Sequence, residues 1–394
     1  MKKTVWFILA GLCLLLVSGS GAQPEFETLT GPLILTVNAA QDALILIEAE
    51  SGTSRTVSVG DGQHTAWGFS PDGCRILLTL TDGAGIPKAY TSDLRGEDLQ
   101  ALVRYDDLSE SLWGIWEPTW SPDGSRIAFT MLRDGFEGAP ERQSHVGYVT
   151  QTGEAPTFYS VTGREYSPAW SPDGSWLTYV SYDLRARGVD SQSTAEPDVA
   201  AEAEIDPDSL LREADVWVVA ADASEKRRLT TFPIGSVRAP LWNPDGTRVA
   251  FVYSSTPSNE TLWVVENVEA PRALQVTYRF GLILGVRWPE ADALWVSGRD
   301  MRNGFSQAVW RIPVAAGADE QMTLLFDPAE TPYPDAPTPN TMGDQLAYRS
   351  GYTIMRRDLS SGSIQAYTEG VGNMPLYWSP ELFASEAACL TNAL

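Results

Sequence analysis

Short, mainly apolar runs recur along the chain, among them Arg75-Ile-Leu-Leu78, Ile127-Ala-Phe129 and Arg248-Val-Ala-Phe251, the last two with their large apolar side chains at alternate positions. Period two is the mark of a β-strand, whose successive side chains point to opposite faces. Each run directly follows a turn of the form Ser/Asn-Pro-Asp-Gly, at 70–73, 121–124 and 243–246, and a fourth copy of the turn stands at 171–174. Proline presets φ at the second turn position, aspartate bonds nearby backbone, and glycine accepts positive φ. In the clearest unit four strands are predicted, over 238–242, 248–253, 261–266 and 272–277. Three more, over 32–37, 43–47 and 54–59, precede the first such turn.

The turn belongs to a longer repeat. Pro118-Thr-Trp120-Ser-Pro-Asp-Gly124 is its fullest copy, and Phe69, Trp170 and Trp242 open the others. Trp288-Pro-Glu-Ala-Asp292 has lost its glycine, Pro337-Thr-Pro339 with Gly343-Asp-Gln-Leu346 is more decayed, and Trp378-Ser-Pro380 comes last. Intervals between the aromatic markers are 51, 50, 72, 46 and 90 residues, the 72 containing an acidic insertion at 182–213 and the 90 the decayed copy. A period in this range signals a solenoid, a propeller or an array. With the aromatic strand Asp215-Val-Trp217-Val-Val219 and the closing Arg228-Leu-Thr230, the unit resembles the TolB-type β-propeller repeat. It also resembles the blades in propeller domains of prolyl-oligopeptidase-like and tricorn-like peptidases. The resemblance runs from about residue 33 onward and implies an all-β fold, a β-propeller of four-stranded blades. Six markers open full units, whereas 378 has no strands after it and 32–59 lacks a first strand. This predicts seven blades, the last closed by strands from both termini, with six blades as the alternative.

Composition narrows the setting. Of 394 residues 20% are charged and 14 are tryptophan, enough material for one large core, and the formal charge is −23. That charge repels phosphate backbones and anionic membrane surfaces, so nucleic acid is not an expected partner. Lys2 and Lys3, the apolar run at 5–17 and the small residues Ser20-Gly-Ala22 read as a signal peptide over 1–22. Residues 23–394 are then one propeller domain of an exported monomer, periplasmic, cell-surface or extracellular, with no membrane insertion after cleavage. Cys74 and Cys389 are the cysteines that remain, and in an oxidising compartment they are expected to pair.

Candidate chemistry is sparse. His64 and His145 fall in different units, no Gly-x-Ser-x-Gly elbow is present, and neither metal nor other cofactor is expected. The repeat position of Asp72, Asp123, Asp173 and Asp245 assigns them to turn stabilisation, and that of Trp217, Trp263 and Trp310 to packing between blades. The long connections at 104–115, 132–144 and 182–213 all return to the face opposite the Pro-Asp-Gly turns. Trp113, Trp116 and Phe136, beside Asp106, Asp107, Glu110, Arg133 and Arg142, make that face a candidate aromatic and charged binding surface. The expected function is a non-catalytic module that binds a protein or peptide. The alternative is a glycan- or peptide-acting enzyme with a site at the channel mouth.

Overall fold

A computed structural model describes residues 28–103, 112–133, 143–150, 156–159, 163–186, 210–232, 235–256, 258–303, 307–325, 334–340, 342–367, 371, 375–381, 383 and 385–392. Their regular structure is almost entirely antiparallel strands, arranged as meanders that follow chain order. Four-stranded sheets run over Gln63–Phe69 to Gln100–Ala101, Leu112–Trp120 to Thr157–Phe158, Glu165–Trp170 to Lys226–Arg228, and Pro334–Pro339 to Ile364–Ala366. A seven-stranded sheet runs over Ser236–Trp242 to Thr323–Leu324. The sixth sheet joins the ends of the chain: Tyr377–Trp378 pairs with Leu33–Val37, which is followed by Leu44–Glu48 and Ser54–Val57. Ile34 lies opposite Trp378 and Leu35 opposite Tyr377.

The seven-stranded sheet departs from the pattern read in the sequence. The fourth strand of one unit and the first of the next, expected to be separate, form one 15-residue strand, Ala273–Arg287. Its N-terminal part pairs with Asn259–Val265 and its C-terminal part with Ala293–Asp300. Between the two parts the segment Tyr278-Arg-Phe280 offers no proline or Asp-Gly to break the strand. The acidic insertion is also shorter than its sequence bounds, because the strands Trp176–Ala186 and Leu210–Ala220 stay paired as far as Ala186 opposite Leu210. Residues 187–209 lie outside the described residues.

Both faces of the second strands are buried, and alternate residues serve different neighbours. Ile76 and Leu78 pack with Leu33, Leu35, Leu44 and Leu46 of the preceding sheet, while Leu77 packs with Ile115, Ile127 and Phe129 of the following one. Val249 and Phe251 likewise face Val216 and Val218, and Ala250 and Val252 face Val286 and Leu294. The series closes where Ile34, Ile45 and Ile47 meet Ala347 and Ile354. Each sheet is thus buried between two others, which is why its strands read as nearly continuous apolar runs. Marker tryptophans tie neighbouring sheets together by donating Nε1–H to the carbonyl one sheet back: Trp170 to Thr119 (3.3 Å), Trp242 to Ala169 (3.1 Å) and Trp378 to Thr338 (2.7 Å).

Candidate binding site in the central channel

First strands of neighbouring sheets contact one another around the axis, so equivalent positions before each marker aromatic form tiers along a channel. Three residues before the marker, Glu117, Ser167 and Ala239 hold φ at 51°, 55° and 52°, each just ahead of a proline. Pairing with the second strand shifts register there, between Trp116 and Thr119, Tyr166 and Ala169, and Arg238 and Leu241. A left-handed non-glycine residue costs on the order of 1–3 kcal/mol unless its surroundings over-determine it. Here the Glu117 carboxylate supplies part of that constraint. It accepts from the Ser167 backbone N–H and hydroxyl, both at 2.9 Å, and from the Thr130 hydroxyl at 3.3 Å, across two sheets.

Four residues before the marker stand Trp116, Tyr166, Arg238 and Leu284. The Tyr166 hydroxyl donates to Val237 O at 2.7 Å, and Arg238 donates to Ile283 O at 2.6 Å and to Glu260 at 2.7 Å. Tyr166 thereby reaches the next sheet and Arg238 a later strand of its own sheet, whereas Trp116 and Leu284 remain 38% and 39% exposed. Of the residues singled out in the sequence, Trp116 and half-buried Arg133 sit on paired strands, Arg133 opposite Leu112 and Gln143 at the end away from the turns. Asp106, Asp107, Glu110, Phe136 and Arg142 lie outside the described residues, as does the side chain of Trp113.

At the other end of the channel a cavity of about 600 Å³ opens between the Pro-Asp-Gly turns. Five residues that directly precede a marker line it: Gly68, Thr119, Arg287, Thr338 and Tyr377, together with the aromatic rings of Trp67, Phe69, Trp120 and Trp378. Gly68 has φ +122°, and a Cβ there would lie 3.4 Å from the Tyr377 ring. Enclosure by the channel lowers the pKa of Arg287, the nearby Tyr377 opposing the shift. It raises Tyr377 to about 12, with the Arg287 charge acting against the rise. The sequence reading did not single out Arg287. The available signal was the column of residues before the markers, in which it alone is charged.

The remaining candidates have structural partners. Asp123 accepts from the Ser121 and Ser125 hydroxyls and the Ser125 N–H, which hold its carboxyl at about 2. Asp173 and Asp245 are held low in the same way, chiefly by Ser171 and Thr247, and Asp72 accepts from Ser70 and from Cys74 N–H. None of the four lines the cavity. His64 is buried with its ring nitrogens 3.0 and 2.9 Å from Gly62 O and Val59 O. His145 packs edge-on against Phe158, with Nδ1 4.0 Å from Glu165. Among the described residues no group of three His, Cys, Asp or Glu is placed to hold a metal ion, and no helix is long and apolar enough to cross a membrane.

No protein-family model matches the chain. Among solved structures it is similar to a putative TolB from Agrobacterium tumefaciens, at 19% identity and TM-score 0.46 over 90% of this chain and 96% of that one. An oligogalacturonate lyase in complex with manganese gives 13% identity and TM-score 0.55 over 87% and 86% of the two chains. A puromycin hydrolase gives 13% and 0.59, over 86% of this chain and 52% of the hydrolase. At these identities the likeness concerns the fold, a β-propeller, which binding proteins and enzymes share.

Proposed function

We propose that the chain is an exported, non-catalytic, seven-bladed propeller that binds a protein or peptide partner at the channel end opposite the Pro-Asp-Gly turns. Seven apolar clusters among the described residues support the blade number, one for each gap if the seven-stranded sheet is counted as two blades sharing Ala273–Arg287. The Cys74–Cys389 disulfide supports export, since such bonds persist in oxidising compartments.

The observation that carries the binding reading is Trp116. Its equivalents Tyr166 and Arg238 are engaged with neighbouring backbone, while Trp116, like Leu284, stays open, at 38%, and it sits on a strand paired with that of Arg133. Accessible tryptophan and arginine are the residue types most enriched among interface anchors. The paired strands end here at Arg133 and Gln143 and at Ala186 and Leu210, and the segments 104–111, 134–142 and 187–209 lie outside the described residues. The test is capture from the native exported fraction with wild-type chain and with the double variant Trp116→Ala, Arg133→Ala. The variant keeps the wild-type melting curve and loses the partner. Undiminished capture by a folded variant overturns the assignment.

A further inference from the structure

We propose that the cavity on the turn side of the channel is a second site, which takes the carboxylate of a ligand with an apolar or aromatic body, anchored by Arg287. This inference does not depend on the partner-binding face at the opposite end. Several arginines of the protein are paired with carboxylates: Arg55 and Arg95 share Glu386, Arg75 meets Asp98, Arg238 meets Glu260, and Arg311 meets Glu290. Arg287 differs. Among the described residues its guanidinium makes one hydrogen bond, from Nη1 to Val286 O at 3.0 Å, and no ion pair. A guanidinium carries five N–H donors in a planar fork that matches a carboxylate.

Although the protein carries a net charge of −23, no carboxylate among the described residues lines this cavity. The charge is instead enclosed beside the Tyr377 phenol, with Thr119 and Thr338 hydroxyls on the same tier and indole rings forming the wall. Partial desolvation without a counter-charge destabilises the cation, and an incoming carboxylate restores what was lost. About 600 Å³ suits a ligand of small-molecule size or the last residues of a peptide. A free aromatic acid and a peptide C-terminus present the same chemistry to Arg287.

Trp67, Trp120 and Trp378 line the cavity, so intrinsic fluorescence of the mature chain reports occupancy. The probes are N-acetylphenylalanine, its carboxamide, 3-phenylpropionate and the peptide Ala-Ala-Phe with a free C-terminus. The acids bind saturably and the carboxamide at least about 10-fold more weakly, the worth of a charge-assisted bond. Arg287→Gln weakens the acids about 10- to 100-fold, erases the distinction between acid and amide, and leaves the melting temperature unchanged. Tighter binding of Ala-Ala-Phe than of 3-phenylpropionate identifies a peptide terminus as the source, and the reverse a free acid. Equal binding of acid and carboxamide to the wild type, or no saturation by any acid at millimolar concentration, overturns the proposal. So does wild-type affinity in Arg287→Gln.

Discussion

The hydroxyl of Ser379 accepts a hydrogen bond from the backbone N–H of Leu33 at 2.9 Å, and the Ser379 N–H returns one to Leu33 O at 2.8 Å. Within the intact turn at 70–75, Arg75 N–H meets Ser70 Oγ at 2.9 Å and Ser70 N–H meets Arg75 O at 2.8 Å. The two ends of the chain therefore meet as the two sides of a first-to-second-strand turn. Ser379→Ala leaves the buried Leu33 N–H without its acceptor and costs about 1–2 kcal/mol in urea denaturation.

The Cys74–Cys389 bond spans 315 residues and fastens that junction. Closing so long a loop restricts the unfolded chain, and removal of the bond costs about 2–5 kcal/mol. Cys74→Ser with Cys389→Ser lowers the melting temperature under non-reducing conditions. Adding reductant lowers the wild type to the same value and leaves the variant where it is.

Glu386, the first residue of the C-terminal helix, binds Arg55 at 2.7 and 2.8 Å, Arg95 at 2.7 Å and the Leu29 N–H at 3.2 Å. Burial alone raises its pKa, but the two guanidiniums and the N–H outweigh burial and hold it at about 2, against 4.5 for the free group. Because the folded value is the lower one, the stabilisation is complete above pH 4.5, shrinks as pH falls below that, and is lost below about 2. Glu386→Gln therefore costs on the order of 3 kcal/mol at neutral pH. The gap between wild type and variant closes over that acid window, as followed by circular dichroism.

Gly73 and Gly343 occupy the same turn position with φ of +75° and +71°. A Cβ on Gly73 would lie 2.6 Å from Phe383 Cβ, whereas one on Gly343 meets nothing within 4 Å. Gly343→Ala carries only the conformational cost of about 1–2 kcal/mol. Gly73→Ala adds the displacement of Phe383, a further ~1–3 kcal/mol in thermal unfolding.

Much of this fold was legible because the repeat writes its turns and strands in local chemistry. Even the decayed copy at 340–345 keeps its turn, with Asn340 Oδ1 accepting from Asp344 and Gln345 N–H as Asn243 Oδ1 does from Thr247 and Arg248 N–H, where the remaining intact copies use serine. The sharing of Ala273–Arg287 between two units was not legible, since only a missing turn signal distinguishes it. Glu386 escaped notice for another reason: a glutamate in a short tail looks solvated until Arg55 and Arg95, 331 and 291 residues earlier, are folded around it. Of the candidate surface, Trp116 was legible as an aromatic beside a marker. Arg287 was not, because an unpaired charge is a property of its neighbours in space.

Both proposed sites depend on one arrangement, a ring of seven blades closed by strands from the two ends of the chain. A crystal structure of the mature chain tests this most directly. It shows seven blades with Ile34 opposite Trp378 and Leu35 opposite Tyr377. Six blades, or Leu33–Val37 paired with anything other than Tyr377–Trp378 on that edge, would contradict the account.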